Sequence, residues 1–131
     1  DLDSPEKVLT AFQKYDVDGV MIARASLGRP WLFAQCAAAI EGRKIPEEPS
    51  LSQQKQIMLR HYELICERFG ETRGTLLMRK YACCYAVGKP GARHFRTHAA
   101  RMETAAEFYQ VIEEYFPRAE TRPAKSVNGT L

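Results

Sequence analysis

A chain of 131 residues can hold one domain with a real core, or a small domain joined to part of another. Hydrophobic residues at 45% and charged residues at 27% exclude a disordered chain. No apolar run approaches the roughly 20 residues that a bilayer span requires. The net charge of +3 singles out no partner, so the placement of the charges carries the information.

Asp1-Leu2-Asp3-Ser4 has neither the basic nor the apolar region of a secretory signal, and no Met opens the chain. The chain therefore reads as a fragment of a longer, cytoplasmic protein. Of the four cysteines, Cys36, Cys66, Cys83 and Cys84, three lie among apolar residues in helical patterns. Cys-x-x-Cys and Cys/His spacings are absent, so free thiols are expected and no metal site.

In chain order, Ser4-Pro5-Glu6 is a helix start: a hydroxyl cap, Pro at the first helical position and an acid in the first turn. Val8, Leu9, Phe12 and Tyr15 fall on one face, and Asp16 to Asp18 break the helix. Gly19-Val20-Met21-Ile22-Ala23 is short, apolar and partly β-branched, which predicts a buried parallel strand. Helix followed by buried strand is the rhythm of an α/β protein. Arg24 to Pro30 is a loop. Trp31, Leu32, Phe33 and the 37–40 stretch give the next helix its apolar bulk, and Gly42 ends it. Residues 43–50 hold Pro46 and Pro49 and read as a linker between a first unit, 1–42, and a second, 51–117.

The second unit reads as helical throughout. From about Ser52 to Phe69, Met58, Tyr62, Ile65 and Phe69 form one stripe. From about Thr75 to Val87, Leu76, Leu77, Tyr81, Cys84 and Tyr85 form another. Gly88-Lys89-Pro90-Gly91 is a turn, and Arg93 to Arg101 a short basic helix. A last amphipathic stripe runs from about Glu103 to Phe116 through Phe108, Val111, Ile112 and Tyr115. Pro117 is expected to stop it, leaving 118–131 as a polar tail. Four or so helices with short connections predict a bundle. Tyr62, Tyr109, Tyr115 and His61 sit on apolar stripes and are read as packing residues.

Two stretches carry chemistry. Ile22 to Trp31 takes a buried strand through a loop into a helix. In α/β barrels the loops after the last strands hold phosphate against free backbone N–H groups. Arg24 could add a bidentate, charge-assisted contact. From physics alone an ordinary strand-to-helix loop with two surface arginines fits as well or better. The second stretch runs from Arg73 to Arg101. It holds seven Lys or Arg residues (Arg73, Arg79, Lys80, Lys89, Arg93, Arg96 and Arg101) and no Asp or Glu. Tyr81, Tyr85 and Phe95 are interleaved with them. Soluble surfaces usually mix signs of charge, so this composition points to a polyanion-binding face.

Asp18-Gly19-Val20-Met21-Ile22-Ala23-Arg24 and Gly28-Arg29-Pro30-Trp31-Leu32-Phe33 closely resemble the last barrel strand and following helix of the tRNA-dihydrouridine synthases, here of the bacterial B type. That family typically has Gly-Arg where this chain has Ala23-Arg24, and Gly-x-Pro-Trp-x-Phe at the positions of Gly28 to Phe33. Leu77 to Tyr85 is similar to the family's Arg-Lys-His-x-x-Trp-Tyr stretch; Arg79, Lys80 and Tyr85 match, while Tyr81 stands for the His and Cys84 for the Trp. Arg93, Phe95 and Arg96 match a later basic cluster. The resemblance extends from Asp1 to about Phe116.

The resemblance implies a mainly α fold: a C-terminal helical bundle preceded by a helix–strand–helix remnant of a TIM-type α/β barrel. It implies an enzyme that reduces uridine to dihydrouridine in tRNA, with FMN as cofactor and NADPH as reductant. Ala23 and Arg24 would then bind the FMN phosphate, and Asp1 would be the last member of an Asn-Gly-Asp triplet that touches the flavin. Arg79, Lys80, Tyr85, Lys89, Arg93 and Arg96 would bind tRNA. The family's catalytic Cys has no match here, which predicts a chain inactive by itself, whose partners are tRNA and the missing N-terminal barrel. Self-association is a further way to pack an orphaned strand. A non-enzymatic RNA-binding helical module and another FMN-dependent barrel oxidoreductase remain as alternatives.

Overall fold

The structure, a computed structural model, describes residues 1–120, with side chains through Phe116. Ser4 caps the first helix by accepting the Lys7 N–H at 3.3 Å, and α1 runs Pro5–Lys14. A 3-10 turn covers Arg24–Ser26, and α2 covers Leu32–Ile40. Gly42 ends α2 in the left-handed region at φ +66°, and the next N–H, from Arg43, closes onto the Ala38 carbonyl at 2.8 Å.

The expected strand is not formed. The described residues contain no strand at all, and 19–23 cross the protein as irregular chain. A parallel strand draws its hydrogen bonds from strands beside it, and the described residues supply no strand for it to pair with. The period of two survives nonetheless. Val20 and Ile22 pack inward on Val8, Leu32 and Cys36, while Met21 between them is 82% exposed. The segment is thus buried on one face only, where burial on both was expected.

Residues 43–50 have no regular structure but are tied down. The Gln35 amide donates to the Pro46 carbonyl at 3.1 Å, and the Gln54 amide to the Pro49 carbonyl at 2.8 Å. Ser50 and Gln53 then form a reciprocal capping box for α3, Leu51–Phe69. Helix α4, Glu71–Tyr85, starts four residues earlier than the apolar pattern suggests. Gly70 alone makes the turn, and Glu71 suits the first turn of a helix electrostatically. α5 spans Ala92–Ala99 and α6 Ala105–Glu120. α6 passes through Pro117 rather than stopping there. The proline removes one bond, to the carbonyl of Glu113, and Glu113 is exposed, so water can take the place of the lost donor. Of the tail expected over 118–131, residues 121–131 lie outside the described residues.

The four later helices share one core. Met58 and Tyr62 of α3, Met78 and Ala82 of α4, Phe95 of α5, and Phe108, Ile112 and Phe116 of α6 are buried together, with Tyr62 and Phe108 stacked at 4.0 Å. Val8 of α1 with Leu32 and Cys36 of α2 form a second, much smaller cluster. A fully buried Val or Leu contributes about 1.5–3 kcal/mol, whereas ordering one residue costs roughly 1–2 kcal/mol. So small a cluster therefore needs support from the larger one. Part of that support comes where the 28–31 segment meets α4. Gly28 sits directly on the α4 backbone, and Trp31 packs at 6.4 Å from the Tyr85 ring.

Candidate functional site

The 3-10 turn at Arg24–Ser26 presents unused donors. The N–H groups of Ala23, Arg24 and Ala25 meet no backbone carbonyl among the described residues, while Ser26 and Leu27 donate back to Ala23 and Arg24. Ala23 takes φ −106° and ψ −103°, outside the α and β regions but at negative φ, so the turn does not use the left-handed backbone that favours glycine. The Arg24 guanidinium is exposed and bonds to the exposed Asp1 carboxylate at 2.9 Å. The structure thus brings Asp1, Ala23 and Arg24 together at one rim.

The basic stretch divides into committed and available groups. Arg79 Nε donates to the Met102 carbonyl at 2.8 Å, and its guanidinium lies 3.8 Å from Glu103, so this side chain ties α4 to the entrance of α6. Lys89 is half-buried and its ammonium caps the Tyr85 carbonyl at the end of α4; burial lowers its pKa. Lys80 is exposed, 5.8 Å from the centre of the Tyr81 ring. Arg93, Arg96 and Arg101 are exposed on and just after α5. Among the described residues, none of Lys80, Arg93, Arg96 and Arg101 has a carboxylate within ion-pair distance, which leaves their charge available to a ligand.

Tyr85 corrects the expectation of a surface contact. It is only 2% exposed, its hydroxyl lies 3.1 Å from His61 Nδ1, and burial pushes its pKa up to about 12. Half-burial likewise holds the His61 imidazole below its ordinary value of 6.5. The four thiols are free; Cys36 is buried and the other three half-buried. Burial raises the pKa of Cys36 and of Cys83, which makes both poor nucleophiles.

Between the 24–30 loop and the α3–α4 pair lies a cavity of about 690 Å³. Leu27, Ile57 and Leu64 form apolar walls, with the His61 and Tyr81 rings 5.1 Å apart at one side and Tyr85 behind them.

A family model described as dihydrouridine synthase matches residues 1–121. The chain belongs to the dihydrouridine synthase family. It is 37% identical over 118 residues to tRNA-dihydrouridine synthase B of Shewanella oneidensis, covering 88% of this chain and 36% of that protein. It is 41% identical over 90 residues to a probable tRNA-dihydrouridine synthase of Mycobacterium leprae, covering 69% and 23%. With tRNA-dihydrouridine synthase B of Xanthomonas campestris it shares 33% over 116 residues, covering 88% and 35%. The chain thus spans about a third or less of the length of these curated relatives.

Sequence reasoning missed the cavity of this dihydrouridine synthase chain. His61 and Leu64 are visible as residues flanking the α3 stripe, and Tyr81 as part of α4. Nothing in the spacing of either helix says that the two ring systems meet, because that depends on the register of α3 against α4. The register is set where Gly74 comes so close to Cys66 that an added Cβ would lie 2.9 Å from its sulfur. In this chain the described helices include none long and apolar enough to cross a membrane.

Proposed function

We propose that this chain is the tRNA-binding end of a flavin-dependent tRNA-dihydrouridine synthase, the whole protein reducing uridine to dihydrouridine in tRNA at the expense of NADPH, in the cytoplasm. The observation that carries the reading is the clustering within one acid-free stretch of exposed cations without acidic partners, among them Lys80, Arg93, Arg96 and Arg101, in a chain whose relatives are named for tRNA. Phosphates contacted by such groups set the position of an RNA without reading its sequence. Arg79 serves the fold first, and Lys89 the end of α4, so both contribute to the field of this surface more than to direct contacts.

The donors at the 3-10 turn fit a phosphate monoester: three unused N–H groups and an exposed guanidinium that only Asp1 now occupies. In the proposed enzyme Ala23 and Arg24 hold the FMN phosphate and Asp1 lies beside the flavin. FMN, when bound, supplies the hydride. We further propose that α1, the 19–23 segment and α2 are the end of a barrel whose other strands come from the rest of a longer protein, with 43–50 as the linker. The one-sided burial of 19–23 and the exposed Met21 support that assignment, since they leave edge and face available for neighbours. By itself the chain, without a match to the family's catalytic Cys, is expected to reduce no uridine.

The test is a salt titration of tRNA binding by the 131-residue chain. Affinity should fall linearly in log–log form, and replacing Lys80, Arg93, Arg96 or Arg101 by Gln should each reduce the slope by about 0.7–0.9 with an unchanged melting temperature. A flat salt dependence, or a quadruple variant that binds as tightly as the parent chain, refutes the assignment.

A further inference from the structure

We propose that the cavity between the 24–30 loop and the α3–α4 pair receives one unpaired base of the bound RNA, stacked against Tyr81 and His61. The proposal rests on the RNA-binding reading above and adds to it a site that takes the base rather than the phosphate.

Size comes first. At about 690 Å³ the cavity falls within the roughly 300–1,000 Å³ typical of small-ligand sites. A nucleobase needs only part of that volume, which leaves room for its ribose.

The walls come next. Leu27, Ile57 and Leu64 offer no hydrogen bonds and favour a flat, weakly hydrated solute. Leu64 is 47% exposed at the mouth, an apolar side chain left in water. His61 and Tyr81 both line the cavity, their rings 5.1 Å apart and tilted by 45° to one another. Unpaired bases bind proteins chiefly by stacking on such rings.

Polar groups within this apolar setting are few and uncommitted. The Tyr81 hydroxyl, the Gln56 amide and His61 Nε2 have no hydrogen-bond partner among the described residues. His61 Nδ1 is already engaged by the Tyr85 hydroxyl, which fixes the ring and leaves its other nitrogen for a ligand. Burial keeps that imidazole neutral near pH 7, so it reads a base edge and does not compete for phosphate.

Charge decides which ligand class fits. On the α3 side Glu63 and Glu67 hold Arg60 at 3.0 and 3.5 Å, so this group carries one net negative charge and offers a phosphate no free cation. The α4 side carries Lys80, whose ammonium lies over the Tyr81 ring at 5.8 Å from its centre, within a stretch that has no acid from Arg73 to Arg101. A base entering over Tyr81 therefore sets its own phosphate beside Lys80. A neutral apolar ligand gains nothing from that placement, whereas a nucleotide joins a stacking ring and an anion in one covalent unit.

The experiment compares two decamers of equal charge on the full 131-residue chain at low salt: oligouridylate, and an abasic ribose-phosphate of the same length. The uridine decamer should bind more tightly, by about 5- to 150-fold for one stacked base. Tyr81→Ala should remove that difference while leaving the abasic affinity and its salt slope unchanged. Leu64→Trp closes the mouth from an exposed position and should act in the same way, which keeps the test valid if Tyr81→Ala folds poorly. Lys80→Gln should weaken both decamers alike. Equal binding of the two decamers to the parent chain overturns the base site and leaves the cavity to a protein segment, with the phosphate-binding face intact. Binding of neither decamer overturns the RNA-binding reading as well.

Discussion

Replacing Gly28 by Ala should loosen α1 and α2 from the α3–α6 helices. Gly28 sits at φ +74°, and a Cβ there would lie 2.4 Å from the carbonyl carbon of Cys84, 2.5 Å from its oxygen and 2.6 Å from the Tyr85 nitrogen. These are backbone atoms in the last turn of α4 and cannot rotate away. Two costs add. An L residue in the left-handed region costs about 1–2 kcal/mol, and forcing atoms into a filled contact costs about 1–3 kcal/mol. The sum is about 2–5 kcal/mol, enough to lower a melting temperature by roughly 10 °C. Gly42→Ala is the control: its φ is +66°, but nothing lies within 4 Å of the added carbon, so only the first cost applies.

The assay follows from Trp31, the single tryptophan, three residues beyond Gly28 and packed on Tyr85. Urea unfolding is followed by Trp31 emission and by far-ultraviolet circular dichroism. In the parent chain the two transitions should coincide. In Gly28→Ala the Trp31 transition should come first and start from red-shifted emission, because the tryptophan has left its contact. The helical transition, dominated by α3 to α6, should move much less. Identical midpoints for the Gly28 and Gly42 variants, with unchanged Trp31 emission, would refute the claim that this close approach couples α1 and α2 to the later helices.

Two further outcomes can be measured. Thr75 is fully buried; its hydroxyl donates to the Glu71 carbonyl at 2.8 Å, so the Tyr62 hydroxyl must donate to it, also at 2.8 Å. Thr75→Val leaves that Tyr62 hydroxyl without an acceptor and should cost about 1–3 kcal/mol; adding Tyr62→Phe should recover much of the loss, and strictly additive effects in the double-mutant cycle would exclude this pairing. His61 is held below its ordinary value of 6.5 by burial, so the unfolded chain takes up the proton first as pH falls. Stability from this group is full above about 6.5 and declines below it until the folded value is passed. His61→Gln should flatten the loss of melting temperature between pH 7.5 and 5.5, and an unchanged pH slope would show that another group controls it.

Local chemistry made most of the helices legible. Ser4-Pro5-Glu6 starts α1 and Gly42 ends α2 where the residues suggest, and the stripe through Met58, Tyr62 and Ile65 faces the core. These features depend on neighbours within about four residues. The 19–23 segment shows the limit of that reasoning. Its apolar, β-branched composition describes what it can become beside other strands, and the described residues contain no other strand. Pro117 shows the same limit in reverse, since losing one exposed backbone bond was too small a perturbation to end a helix otherwise held by Phe108, Ile112 and Phe116.

The candidate surfaces divide along the same line. The acid-free run from Arg73 to Arg101 is a property of the sequence, as are the motif residues from Ala23 to Phe33. Which of those charges are available is a property of the tertiary structure. Arg79 turned inward to Met102, Lys89 folded back on Tyr85, and Tyr85 itself went into the core, while Lys80, Arg93, Arg96 and Arg101 remained in solvent. The cavity beside His61 and Tyr81 belongs entirely to the second category. Composition and spacing determine what each helix offers to its surroundings; the register of α3 on α4 and the contact of Gly28 with Cys84 determine which offers meet, because packing brings together residues that no local interaction relates.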